Sequence, residues 1–71
     1  MAESVYRVTQ VIGTSTESWE AAAKNAVETA AKTLRDLRVG EIQKFDVTIE
    51  DGKVTNYRCR VDVSFKYQSG D

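Results

Sequence analysis

Few side chains in this sequence can do chemistry. There is one cysteine, Cys59, and no histidine. Without an imidazole the chain lacks the group whose proton moves near neutral pH, so general acid–base catalysis has no natural agent. Cys59 sits in Tyr57-Arg58-Cys59-Arg60-Val61, in phase with the apolar residues. A thiol on an apolar face behaves as a small hydrophobe rather than a nucleophile. A single cysteine also excludes an intrachain disulfide and leaves a structural zinc without a ligand pair. These residues predict a protein that is not an enzyme.

The remaining candidates are ligand contacts. Gly13-Thr14-Ser15, ahead of a predicted helix, has the residue types that receive a phosphate or carboxylate at a helix start. It lacks the spacing of a P-loop, and helix capping accounts for it more simply. Glu17 and Glu20 are hard oxygen ligands suited to calcium or magnesium. One chain supplies too few of them, but a symmetric oligomer repeats each carboxylate around an axis and can build a site from copies. Arg58 and Arg60 are ordinary strand charges, or else they meet an anionic ligand across a subunit interface. Trp19, the only tryptophan, falls on the apolar stripe of the predicted helix, where packing is its expected role.

The elements that must position these residues follow from periodicity. From Tyr57 to Tyr67 apolar residues fall on odd positions and polar ones between them, the pattern of a strand with one dry and one wet face. Asp51-Gly52 separates that strand from a second apolar run beginning at Val39, and both turn residues tolerate positive φ. Phe45, Val47 and Ile49 are odd whereas Ile42 is even, so an extra residue between Ile42 and Phe45 predicts a β-bulge. Val5 to Ile12 reads as a first strand, with Tyr6, Val8 and Ile12 on one face and Val5, Arg7, Thr9 and Val11 on the other. Between them Trp19, Ala22, Ala23, Ala26, Val27, Ala30, Leu34 and Leu37 recur at helical steps. They predict a helix capped by Ser15 and ending near Leu37. Its outer face pairs Glu20 with Lys24 and Glu28 with Lys32. Gln68-Ser69-Gly70-Asp71 is a polar tail. The order is β-α-β-β, an α+β class.

The chain has 71 residues, so residues 1–71 form a single domain. Domains of about 60 residues bury only about 60% of their unfolded surface. With disulfides and zinc excluded, self-association is the remaining support, and strand edges left open invite it. Ten basic residues against eleven acidic ones give a net charge of −1 and no electrostatic footprint for nucleic acid. No apolar run approaches the roughly 20 residues that span a bilayer. Met1-Ala2-Glu3-Ser4 does not read as a signal peptide, and a lone thiol predicts a reducing cytoplasm.

Several segments read together resemble the dodecin family. They are Val5-Tyr6-Arg7-Val8, Val11-Ile12-Gly13-Thr14-Ser15, Thr33-Leu34-Arg35-Asp36-Leu37, Glu41-Ile42, Asp51-Gly52-Lys53-Val54 and Val63-Ser64-Phe65-Lys66. The resemblance implies a three-stranded antiparallel sheet half-wrapped around one helix, assembled as a hollow homododecamer. Many dodecins store flavins, which stack on a tryptophan just after the helix and bond to a glutamine on the last strand. The resemblance puts Val39 and Arg58 at those two positions. Valine offers no π-face, and arginine only donates hydrogen bonds, so weakened flavin affinity is expected. The sequence resembles more the dodecins that lack the stacking tryptophan, some of which bind calcium. Trp19 and the closing Ser-Phe-Lys fit that branch, and Glu17 resembles a carboxylate near which ions gather. The implied function is a binding or storage shell with a degenerate flavin site and possible metal ions between subunits. The alternatives are a flavin-storing dodecin (riboflavin or FMN) and a purely structural assembly.

Overall fold

A computed structural model of the chain describes residues 5–66. The expectations for Tyr67 and the polar tail lie outside the described residues. The order is β1 (Tyr6–Ser15), α1 (Trp19–Ala30), β2 (Leu37–Glu50) and β3 (Lys53–Lys66). The strands form one antiparallel sheet in the order β1-β3-β2, with β3 central. Asp51 (φ 51°) and Gly52 (φ 74°) both take the positive φ expected of a two-residue hairpin turn.

α1 crosses the sheet over β1 and β3 and scarcely touches β2. The core is small: Ala22, Ala26 and Ala30 of α1 against Cys59, Val61 and Val63 of β3. These three β3 residues are the odd positions expected to be dry. Alanine brings the helix axis close, and Gly13 permits the closest approach. A Cβ at Gly13 would fall on the Ala22 carbonyl oxygen and within 2.8 Å of Ala26 Cβ. No side chain other than hydrogen fits between β1 and α1 at this level.

The helix differs from expectation at both ends. Its N-cap is Ser18, whose Oγ accepts from Ala21 N at 3.0 Å, not Ser15. Ser15 ends β1, and its Oγ accepts from Glu17 N at 2.9 Å, a local bond that closes the turn. Glu17 therefore lies outside the helix, and Glu20 is the acid in its first turn. The helix ends at Ala30 rather than near Leu37. Lys32 N and Thr33 N reach back only three residues, to the Thr29 and Ala30 carbonyls, and Thr33 Oγ1 also bonds the Ala30 carbonyl. Such bonds tighten and close a helix. Asp36 then adopts φ 59° and turns the chain into β2. Leu34 and Leu37 still pack on the core, one from the turn and one from the strand. Lys32 falls beyond the helix, so Glu28–Lys32 is not a helical pair.

β2 carries the expected bulge, between Ile42 and Lys44, and a further one between Leu37 and Val39. A third irregularity, unforeseen, lies where Thr48/Ile49 of β2 meet Asn56/Val54 of β3. The β2–β3 hairpin outruns the helix that covers it, giving extents of 55 × 20 × 15 Å and a radius of gyration of 14.7 Å. A compact chain of this length has about 11 Å. Val8, Ile12, Val39, Phe45, Ile49 and Val54 are exposed in the single chain.

Candidate functional site

The sheet has a face that meets α1 and a face turned away from it. Register places Val8, Gln10, Ile12 and Thr14 of β1 opposite Ser64, Asp62, Arg60 and Arg58 of β3 on the far face. On the other side of β3, Val39 opposes Ser64, Glu41 opposes Asp62, Lys44 opposes Arg60 and Asp46 opposes Arg58. The far face is thus a central polar row flanked by exposed apolar side chains on β1 and at Val39.

Arg58 is not free on this face. Its Nε donates to Asp46 Oδ1 at 2.8 Å and its terminal NH2 to Oδ2 at 3.0 Å. This fork matches the carboxylate with two parallel charge-assisted bonds. The bonds from Arg58 hold the Asp46 carboxyl below its usual value; partial burial opposes this, and the Arg58 and Arg60 charges reinforce it. The same pairing pushes Arg58 up. Asp46 is held from the other side too, because Trp19 Nε1 donates to its backbone carbonyl at 3.0 Å.

Trp19 opens α1 and is 38% exposed, so it caps the core rather than lying in it. Its ring lies 5.1 Å from Phe45 and 5.2 Å from Tyr57, tilted to the first and edge-on to the second. These are favourable aromatic geometries. Beside them Trp19, Ala23, Ile42, Phe45 and Cys59 line a mainly apolar cleft of about 300 Å³. Cys59 is buried and free, and burial pushes its thiol up. A thiol held protonated has little nucleophilic character.

Val39 is 61% exposed, and its carbonyl accepts from Ser64 Oγ at 3.4 Å. It shares the far face with Arg58, but Ser64 and Arg58 are six residues apart on β3. At about 3.3 Å per residue the separation is roughly 20 Å. One protomer therefore does not bring the two positions together. Glu17 is exposed in the turn that follows β1, at the end of the sheet where Ser15 pairs with Tyr57 and Thr14 with Arg58. Among the described residues no three Asp, Glu, Cys or His side chains gather as a metal site. Calcium takes six to eight oxygens, so a single protomer's described residues do not supply a cage.

Asp46 is the residue that the sequence reading missed. A plain two-residue hairpin at Asp51-Gly52 would set Asp46 opposite Tyr57, on the helix side. The irregularity at Thr55 shifts the register by one and brings Asp46 to Arg58 instead. Its signal was present as a break in parity: Val54 is even, whereas the dry residues from Tyr57 onward are odd.

The sequence pattern of one protein family, Dodecin, matches residues 5–68. The chain is 45% identical over 64 residues to the calcium dodecin of Mycobacterium tuberculosis, covering 89% of each protein. It superposes on the dodecin of Streptomyces coelicolor with a TM-score of 0.90 at 36% identity, covering 99% of this chain and 100% of that one. The crystal structure of the M. tuberculosis calcium dodecin, described as having a novel calcium-binding site, gives 0.81 at 40% identity, covering 96% and 97%. No helix among the described residues is long and apolar enough to cross a membrane. The β-α-β-β topology and these matches agree: the chain belongs to the dodecin family.

Proposed function

We infer that this dodecin is a non-enzymatic binding or storage subunit, assembled as a hollow homododecamer, with a degenerate flavin site and calcium or magnesium bound where subunits meet. The Arg58–Asp46 fork carries this reading. A flavin edge presents both donors and acceptors. Arginine offers only donors, and here two of them are committed to a carboxylate. Val39 adds no ring for stacking. Freeing Arg58 for a ligand would break two charge-assisted bonds and leave Asp46 without its partner.

The metal class is supported by the M. tuberculosis relative named as a calcium dodecin. Glu17 is the carboxylate assigned to it. Its exposed turn position leaves it available to copies around a symmetry axis, which would multiply the oxygen count. Assembly is supported by the thin core, the exposed apolar residues of both faces and the open edges of β1 and β2. A cytoplasmic setting suits the free buried thiol.

Two titrations of the purified oligomer test the reading. Riboflavin and FMN should show no submicromolar quenching of flavin fluorescence. Calcium should give saturable heat in calorimetry and raise the melting temperature, and Glu17→Gln should weaken both effects. Tight flavin quenching, or calcium that gives neither heat nor a melting shift, would overturn it.

A further inference from the structure

The two β-bulges that bracket positions 44–48 create a window of shifted register on the far face. Inside that window Lys44 lies directly opposite Arg60, and Arg58 follows on the same face. Like charges directly opposite on a sheet repel and destabilise the pair. With Ile12 and Asp46 these three residues line a cavity of about 180 Å³. The lining therefore carries three cations against one carboxylate, and that carboxylate already serves Arg58. Arg60 Nε is buried and has no hydrogen-bond acceptor among the described residues. Asp62, the acid on β3, accepts instead from Gln10 Nε2 at 2.9 Å.

A buried guanidinium N–H without an acceptor is costly, and arginine cannot shed its charge to escape that cost. An acceptor carrying negative charge would satisfy Arg60 Nε and screen Lys44 from Arg60 together. Arg58 retains three N–H donors beyond the two given to Asp46. Lys44 brings three more, and Ile12 supplies an apolar wall that strengthens charge-assisted bonds.

We propose that this cavity binds one small oxyanion, a phosphate or carboxylate group, between Lys44, Arg58 and Arg60. The site is separate from the calcium reading and does not rest on it. Its size admits the anionic group itself or the anionic end of a larger molecule, and its net charge rejects cations.

The test uses the assembled protein in a phosphate-free buffer, with chloride holding the ionic strength constant. Inorganic phosphate and acetate are titrated separately by calorimetry, which distinguishes the two anion sources. Saturable binding of at least one of them, at one site per protomer, is expected. Arg60→Gln and Lys44→Gln should each weaken it by about tenfold or more, the loss expected for a hydrogen bond to a charged partner. Calcium titration of both variants should be unchanged, so failure of this site and failure of the calcium reading register separately. If a variant does not assemble, wild-type melting decides: a rise with phosphate or acetate beyond that with chloride supports the site. Heats matched by chloride, or affinity retained in Arg60→Gln, would overturn it.

Discussion

Replacing Gly13 with alanine should damage this protein more than any other single-methyl change at a described glycine. The new Cβ would fall on the Ala22 carbonyl oxygen and 2.8 Å from both Ala26 N and Ala26 Cβ. Two of the three opposing atoms are helix backbone, which no side-chain rotation can move. The whole of α1 must lift, and Ala22 and Ala26 then lose contact with Cys59 and Val61. Overpacking of a tight core costs about 1–3 kcal/mol, and this unyielding contact belongs at or above the upper end. A chain of this size has only about 4–10 kcal/mol in total. The other glycines supply the scale. Gly40→Ala meets Val27 Cγ2 and Val61 Cγ1 at 3.4 Å, a small adjustment that should cost under about 1 kcal/mol. Gly52→Ala meets no atom within 4 Å but keeps φ 74°, a backbone cost of about 1–2 kcal/mol. Urea unfolding at one fixed protomer concentration measures all three, because the stability of a subunit that self-associates depends on concentration. Trp19 fluorescence reports it, since that ring bridges α1 to β2 and β3. The expected order of loss is Gly13, then Gly52, then Gly40. A Gly13→Ala protein within about 1 kcal/mol of wild type would show that α1 does not rest on β1 as described.

Acidification should separate wild type from Asp46→Asn. Because the folded carboxyl lies below its unfolded value, its contribution is present above about pH 4 and is lost as pH falls through the folded value. The difference in urea midpoint between the two proteins should therefore close on going to about pH 2, and it should be small and salt-sensitive at this exposed pair. Cys59 should resist a thiol reagent at pH 8 until the protein is unfolded in urea, since it is 2% exposed; rapid native labelling would contradict its burial. Val39→Trp should strengthen flavin quenching by up to about tenfold, the range of one aromatic contact. If the gain is absent, position 39 is not where a flavin ring would stack in this chain.

The parts of the fold that were legible from the residues are those with a local period. The alternation from Tyr57 to Phe65, the paired positive φ at Asp51-Gly52 and the bulge after Ile42 each leave a mark within a few positions. The absence of histidine and the lone thiol narrowed the chemistry just as directly. The end of the helix was not legible, because Leu34 and Leu37 continue the three- and four-residue steps of a helix, which a turn and a strand happen to satisfy equally well. Ser15 and Ser18 are both acceptable caps, and only the place where β1 stops pairing with Tyr57 chose between them.

Tertiary structure decided the far face of the sheet. Arg58 and Arg60 were visible as strand charges, but Asp46 and Lys44 became their neighbours only through the register between β2 and β3. Periodicity is a property of one strand, whereas register is a relation between two, and a single extra residue in either one reverses which side chains meet. The sequence by itself therefore determined the elements, the dry face of β3 and the poverty of catalytic groups. The close approach at Gly13, the Arg58–Asp46 fork and the orphaned Arg60 Nε depended on how those elements were laid against one another.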